Sequence, residues 1–149
     1  MNAFIIDDNA DIRMLLDGVL SMIGIDPMQA PGGREALETF EAMTVPPDLI
    51  ILDVQMPVMD GWTTLEAIRA LPLTKDAPVI LCTVKASAQD ILRGWELGCD
   101  AYVSKPFDVR ALMRTVREVA SRTVAERNEA RALEVIEARR AAVLAAAGR

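Results

Sequence analysis

The chain contains no histidine, and that absence excludes a large part of protein chemistry. Without imidazole there is no Ser–His or Cys–His nucleophile pair, no histidine general base and almost no route to a zinc site. Cysteine is nearly as scarce: Cys82 and Cys99 stand without a CxxC spacing, in apolar or strand-like contexts. Such thiols read as buried and reduced, not as a disulfide framework or a metal clip. Aromatic residues make up 4% of the chain against 52% hydrophobic, so the core has to be aliphatic. Positive charge is short as well. Lys and Arg number 16 against 22 Asp and Glu, and the net charge of -6 argues against nucleic acid or an anionic membrane as partner. No apolar run approaches the ~20 residues that cross a bilayer. The opening MNAFIIDDNADIR passes from a short apolar run to acids, unlike a signal peptide. A soluble, cytoplasmic protein is expected, with its reactions left to carboxylates, Lys, Ser/Thr or a hard metal ion.

What is present is an alternation of short aliphatic runs and amphipathic stretches. The runs are Ala3–Ile6, a weaker one at Met28–Ala30, then Leu49–Leu52, Val79–Cys82 and Ala101–Ser104. After the first run, Ile12, Leu15, Leu16, Val19, Leu20 and Ile23 recur at the spacing of one helical face, and Gly24 supplies a stop. Leu37, Phe40 and Met43 mark a second helix. Leu65, Ile68 and Leu71 mark a third, opened by Asp60-Gly61 and closed before Pro72. Ile91, Leu92 and Trp95 mark a fourth, closed by Gly98, and Val109 to Val119 a fifth with Asp108 as N-cap. Five βα units predict an α/β fold with a parallel sheet covered by helices on both faces. Pro27 cannot donate to a ladder, so the weak second strand belongs at an edge. That suits the doubly wound, flavodoxin-like order 2-1-3-4-5, in which ligands bind beyond the carboxyl ends of the strands.

Those ends collect the chemistry. The first strand runs into Asp7-Asp8, the third into Asp53, the fourth into Thr83 and the fifth into Lys105. Singly these are a cap, a turn residue, a strand end and a solvated charge. Together they bring acids, a hydroxyl and an ammonium to one edge of the sheet. Carboxylates gathered there repel by roughly a few kcal/mol per pair at a protein surface. A hard divalent cation relieves that repulsion, and an all-oxygen donor set points to Mg²⁺. The metal would also neutralise an incoming phosphoryl group, with Lys105 on one of its oxygens and Thr83 donating to another. One carboxylate is then left to act as nucleophile and form an acyl phosphate.

In these residues the chain resembles the receiver domains of bacterial two-component response regulators, over about residues 3 to 121. The most specific stretch is Asp53-Val54-Gln55-Met56-Pro57-Val58-Met59-Asp60-Gly61, on the family's D-x-x-M-P-x-M-D-G pattern. Asp7-Asp8, Thr83 and the run Gly98-Cys99-Asp100-Ala101-Tyr102-Val103-Ser104-Lys105-Pro106-Phe107 follow in register. The resemblance implies Asp53 as phosphoacceptor. It implies Mg²⁺ ligated by Asp8, Asp53 and the Gln55 backbone carbonyl, with Asp7 acting through water. It further implies Thr83 and Tyr102 as switch residues, Lys105 on the phosphoryl oxygen and a cis Lys105–Pro106 bond. The implied partners are a histidine kinase or phosphotransfer protein upstream and an unidentified protein downstream, at a face made by the fourth helix, fifth strand and fifth helix. Trp95 is a candidate anchor there. Val84 departs from the small residue usual after the threonine and is expected to narrow the pocket, while Gln55 and Lys85 hold positions that tune dephosphorylation.

Residues 1–122 are read as the receiver and 123–149 as a helical extension. Of its 27 residues nine are Ala, five Arg and four Glu. Leu133, Ile136, Val143 and Leu144 form a thin apolar stripe interrupted by Arg140, too broken for a sustained coiled coil. The extension is expected either to prolong the fifth helix or to fold over the same face, and in both cases to influence self-association. A homodimer is therefore expected through that face or through the extension. Two other functions are weighed. The chain reads alternatively as part of a longer regulator with an output domain, although it contains no helix-turn-helix motif. An aspartyl-nucleophile phosphohydrolase would carry an acid two residues beyond the nucleophile, where this chain has Gln55. The only reactions expected are its own phosphorylation and dephosphorylation.

Overall fold

The computed structural model describes residues 1–84 and 86–148; Lys85, expected to tune dephosphorylation, lies outside the described residues. Eleven elements follow one another: β1 (Asn2–Ile6), α1 (Ala10–Met22), β2 (Asp26–Ala30), α2 (Gly33–Ala42), β3 (Leu49–Asp53), α3 (Gly61–Ala70), β4 (Val79–Thr83), α4 (Ala88–Leu97), β5 (Ala101–Ser104), α5 (Val109–Ser121) and α6 (Val124–Ala147). The strands form one parallel sheet in the order β2-β1-β3-β4-β5, the flavodoxin-like arrangement. β2 carries Pro27 and pairs only with β1, as an edge strand should.

Alternate residues of the central strands supply two cores. Phe4, Ile6, Ile50, Leu52, Val79 and Leu81 pack with Phe40, Leu65 and Ile68 on the side of α2 and α3. Ala3, Ile5, Leu49, Ile51 and Ile80 pack with Leu16, Leu20, Leu112 and Val116 on the side of α1 and α5. Every residue of β3 and β4 is buried, which their unbroken aliphatic runs require. Burial of each such Leu or Ile contributes about 1.5–3 kcal/mol, so the aliphatic core holds the frame without aromatic help. Asp60 caps α3, Asp108 caps α5, and Gly24 and Gly98 follow the first and fourth helices at φ 78° and 102°. Cys82 and Cys99 are free and buried, and burial pushes both thiols up, away from thiolate chemistry. No described helix is long and apolar enough to cross a membrane.

The extension does not prolong α5. Arg122 leaves helical geometry, and Thr123 starts a new helix with a capping box: its side chain accepts from the Glu126 N–H, and Glu126 reaches back to the Thr123 N–H. α6 then turns back and packs along α4. Between α6 and the face of α4, β5 and α5 lies a cavity of about 500 Å³, lined in part by Ile91, Trp95, Tyr102, Val119 and Leu133. The extension therefore folds over that face, the second of the two expected courses.

Candidate functional site

At the carboxyl ends of the strands, ligand oxygens of Asp7, Asp8 and Asp53 lie within 4.8 Å of one another. Asp7 and Asp53 are buried, at 2% and 5% exposure, while Asp8 sits on the solvent rim. Strand geometry places them: β1 and β3 are neighbours, and each delivers its acid where its ladder ends. The Lys105 ammonium, from the end of β5, bridges the two buried carboxylates, 2.8 Å from Asp7 Oδ2 and 3.1 Å from Asp53 Oδ1. One cation cannot compensate two buried acids and a third beside them. Burial, with the Asp7 charge adding to it, pushes Asp53 up to about 6 despite the hydrogen bond from Lys105. Burial alone would lower Lys105, but its bonds to Asp7 and Asp53 outweigh that and raise it. A site of three carboxylate oxygens, lacking nitrogen and sulfur donors and short of positive charge, fits a hard divalent cation.

The backbone around Asp53 is fixed tightly. The Val54 N–H donates to Cys82 C=O at 3.0 Å, the Gly61 N–H to Val54 C=O at 2.8 Å, and the Gln55 N–H weakly to Asp53 Oδ1 at 3.4 Å. A Cβ at Gly61 would overlap the backbone of Asp53 and Val54, so only glycine lets α3 start this close to the acid. Between them the chain makes a tight turn at Val58, closed by the Met59 N–H to Pro57 C=O at 2.8 Å, with Val58 at φ 70°. A β-branched residue there stores backbone strain next to the site. Beside the acids opens a cleft of about 460 Å³ lined by Gln55, Met56, Asp60, Trp62, Thr83, Ala86 and Asp90, among others.

Thr83 stands at the end of β4 in that cleft, and its carbonyl accepts from the Lys105 N–H at 2.8 Å. The Lys105–Pro106 peptide is cis. Tyr102 is placed elsewhere, beneath α4: its hydroxyl donates to Asp90 C=O at 2.7 Å and lies edge-on to Trp95, ring centroids 5.9 Å apart. Gly94 makes that room, since a Cβ there would overlap the Tyr102 hydroxyl. Val84 is 66% exposed and does not line the cleft, so the expected narrowing is not seen. Val84→Ala should accordingly leave the phosphorylation rate within about twofold, under 0.5 kcal/mol in barrier, which paired labelling time courses would measure.

Sequence reasoning missed a second polar centre. Asp100, with its side chain 1% exposed at the head of β5, accepts from the Val79 N–H at 2.9 Å. It pairs with Arg69 at 3.1 Å, Arg131 at 2.7 Å and Arg127 at 3.6 Å. Arg131 also donates to Cys99 C=O at 2.9 Å, and Arg127 to Asp76 C=O at 2.6 Å. Burial pushes Arg69 down to about 10 against the pull of Asp100, with Arg131 and Arg127 adding to the lowering. The signal was the spacing of Arg127 and Arg131, one helical turn apart on one side of α6.

The comparisons with known proteins bear on these features together. The family model described as "Response regulator receiver domain" matches residues 3–117. A probable transcriptional regulator ycf27 of Guillardia theta is 41% identical over 119 residues, 80% of this chain and 45% of that protein. The DNA-binding dual master transcriptional regulator RpaA of a Synechocystis species is 38% identical over 119 residues, 80% of this chain and 48% of that one. The chain thus spans about half the length of these curated relatives. Among solved structures, chemotaxis protein CheY4 of Vibrio cholerae superposes with TM-score 0.74 at 30% identity, covering 79% of this chain and 97% of that one. A putative response regulator of Chloroflexus aurantiacus gives 0.75 at 31%, covering 81% and 98%. The chain belongs to the response regulator receiver domain family.

Proposed function

We propose that Asp53 accepts a phosphoryl group from a phosphohistidine of a histidine kinase or phosphotransfer protein. The observation that carries this is the buried Asp53 carboxylate, facing Asp7 and held by Lys105, at the carboxyl end of β3. A carboxylate oxygen of Asp53 attacks phosphorus; the P–N bond breaks and its electron pair stays on the departing imidazole. Mg²⁺, held by Asp8, Asp53 and the Gln55 carbonyl with Asp7 through water, would neutralise the phosphoryl oxygens and lower the barrier to attack. Lys105 leaves its bridge between the two acids to hold one phosphoryl oxygen, and the Thr83 hydroxyl donates to another. With Gln55 two residues beyond the nucleophile, the chain lacks the acid that would turn this into multiple-turnover phosphatase chemistry.

The same reading gives Thr83 and Tyr102 the task of reporting phosphorylation to α4. Asp90 supports it, because it lines the cleft and its carbonyl takes the Tyr102 hydroxyl. Residues 1–122 form the receiver in this reading and 123–149 an extension that overlies part of its output face. The relatives' names describe transcriptional regulators, one of them DNA-binding. The matched receiver segment is proposed to act through proteins and not to contact nucleic acid itself, in keeping with its acidity. Self-association is proposed through α6, since α6 itself covers the α4 side of the other candidate face.

Phosphoramidate, whose P–N bond imitates phosphohistidine, tests the reaction. With Mg²⁺ the intact mass should rise by one phosphoryl group that hydroxylamine removes, and an unchanged mass would refute the proposal. In a Trp62→Phe background, which leaves Trp95 as the single tryptophan, Lys105→Ala should fold normally and still accept the group, yet lose the phosphorylation-dependent change in tryptophan emission beside Tyr102. Retention of the full emission change in that variant would take Lys105 out of the signalling path.

A further inference from the structure

α6 is amphipathic in an unexpected sense: its anchoring side is basic and alanine-rich, and its aliphatic side faces water. Arg127, Ala138 and Ala142 are buried, and Arg131 is partly so, a set spaced by whole helical turns that marks the side turned to the receiver. Arg139 approaches Glu96 of α4 at 3.9 Å farther along. Away from that side, Ile136, Val143 and Leu144 are 54%, 68% and 67% exposed with Arg140 between them, and Leu133, 63% exposed, continues the stripe to the rim of the cavity beside α5. α6 is tied at Arg127 and Arg131 to Asp100 and packs against α4, which presents this stripe in one orientation.

From this we infer that the outer face of α6 is an interface with a second copy of the chain, paired antiparallel about an axis between Ala138 and Arg139. In that register Leu133 of each copy lies opposite Leu144 of the partner copy, and Ile136 packs beside them. Glu137 meets the partner's Arg140, and the reverse, replacing the exposed intrahelical pair now seen at 3.4 Å. Charge selects this arrangement: a parallel pair would stack Arg140 on Arg140 and Glu137 on Glu137, whereas the antiparallel pair sets Arg140 of each copy against the partner's Glu137. The contact is small beside the roughly 800 Å² per partner of a standard interface, so the pairing is reversible and concentration-dependent.

The inference does not rest on Asp53 chemistry, and sedimentation equilibrium of the full chain tests it. Over roughly a hundredfold range of concentration, two decades of an association isotherm, the mass should rise from one chain to two. Leu144→Asp should leave only monomer, with far-UV circular dichroism unchanged because the residue is exposed. Arg140→Glu should weaken pairing at least tenfold, and the double swap Glu137→Arg with Arg140→Glu should restore it. A monomer at every concentration, a pair indifferent to these substitutions, or a double swap that fails to recover would overturn the inference. Phosphoryl labelling of the same samples shows separately whether the receiver reading holds.

Discussion

Asp100→Ala is expected to cost about 3–5 kcal/mol of folding stability, the usual penalty for stripping a buried ion cluster of one sign. Asp100 is the carboxylate that Arg69, Arg127 and Arg131 share, and it also takes the Val79 N–H where β4 begins. Without it three guanidiniums confront one another, and Arg69 is already pushed down to about 10 by burial and by its two neighbours. Arg131→Ala alone should cost less, because Asp100 keeps Arg69. The two losses should fall well short of additive in the double variant, since both remove one contact. Urea unfolding of the four proteins measures this; strict additivity would mean that Arg131 holds α6 through the Cys99 carbonyl alone.

Asp53→Asn is expected to stabilise the metal-free protein by up to about 3 kcal/mol above pH 6, from a rise of roughly two pKa units at about 1.4 kcal/mol each. The sign follows from the direction of the shift. Asp53 is raised from 3.8 to about 6 by burial and by Asp7, so the folded state prefers the proton more than the unfolded chain does. The penalty of holding the ionised acid is absent below 3.8, grows between there and about 6, and is complete above. In EDTA the wild type should therefore lose stability relative to Asp53→Asn across that window and run parallel to it at higher pH. Mg²⁺ should close the gap, because a bound cation stabilises the folded wild type by mass action while the variant has lost a ligand. A variant less stable than wild type at pH 8 in EDTA would mean that the Lys105 contact outweighs burial and repulsion.

The sheet and five of the helices were legible because each signal in them is local. Unbroken aliphatic runs give buried parallel strands, Pro27 sends β2 to the edge, and Asp60, Asp108 and Gly98 mark helix ends at which the structure agrees. The cluster of Asp7, Asp8, Asp53 and Lys105 was legible for a topological reason: strand ends in this order converge whatever the side chains between them do. Two features were not. Val84 was judged by its bulk, yet its side chain leaves the cleft for solvent. The course of α6 was left open between prolonging the fifth helix and folding over the face, because its thin apolar stripe marks no side that packs on the receiver. The helix is instead held by Arg127 and Arg131 on a buried acid and by Ala138 and Ala142, small enough for close approach to α4. Periodicity of hydrophobic residues is blind to such a face. The capping box of Thr123 and Glu126 was the readable sign that a separate helix starts there.

The central claim is that one carboxylate, Asp53, takes the phosphoryl group, and its position can be fixed covalently. Borohydride reduces an acyl phosphate to the alcohol, so treatment after incubation with acetyl phosphate marks the phosphorylated acid for peptide mapping. The mark should fall on Asp53 alone in Mg²⁺, be absent in EDTA, and not move to Asp7 or Asp8 in Asp53→Asn. A mark on any other residue of the wild type, or equal labelling without the metal, would contradict the account.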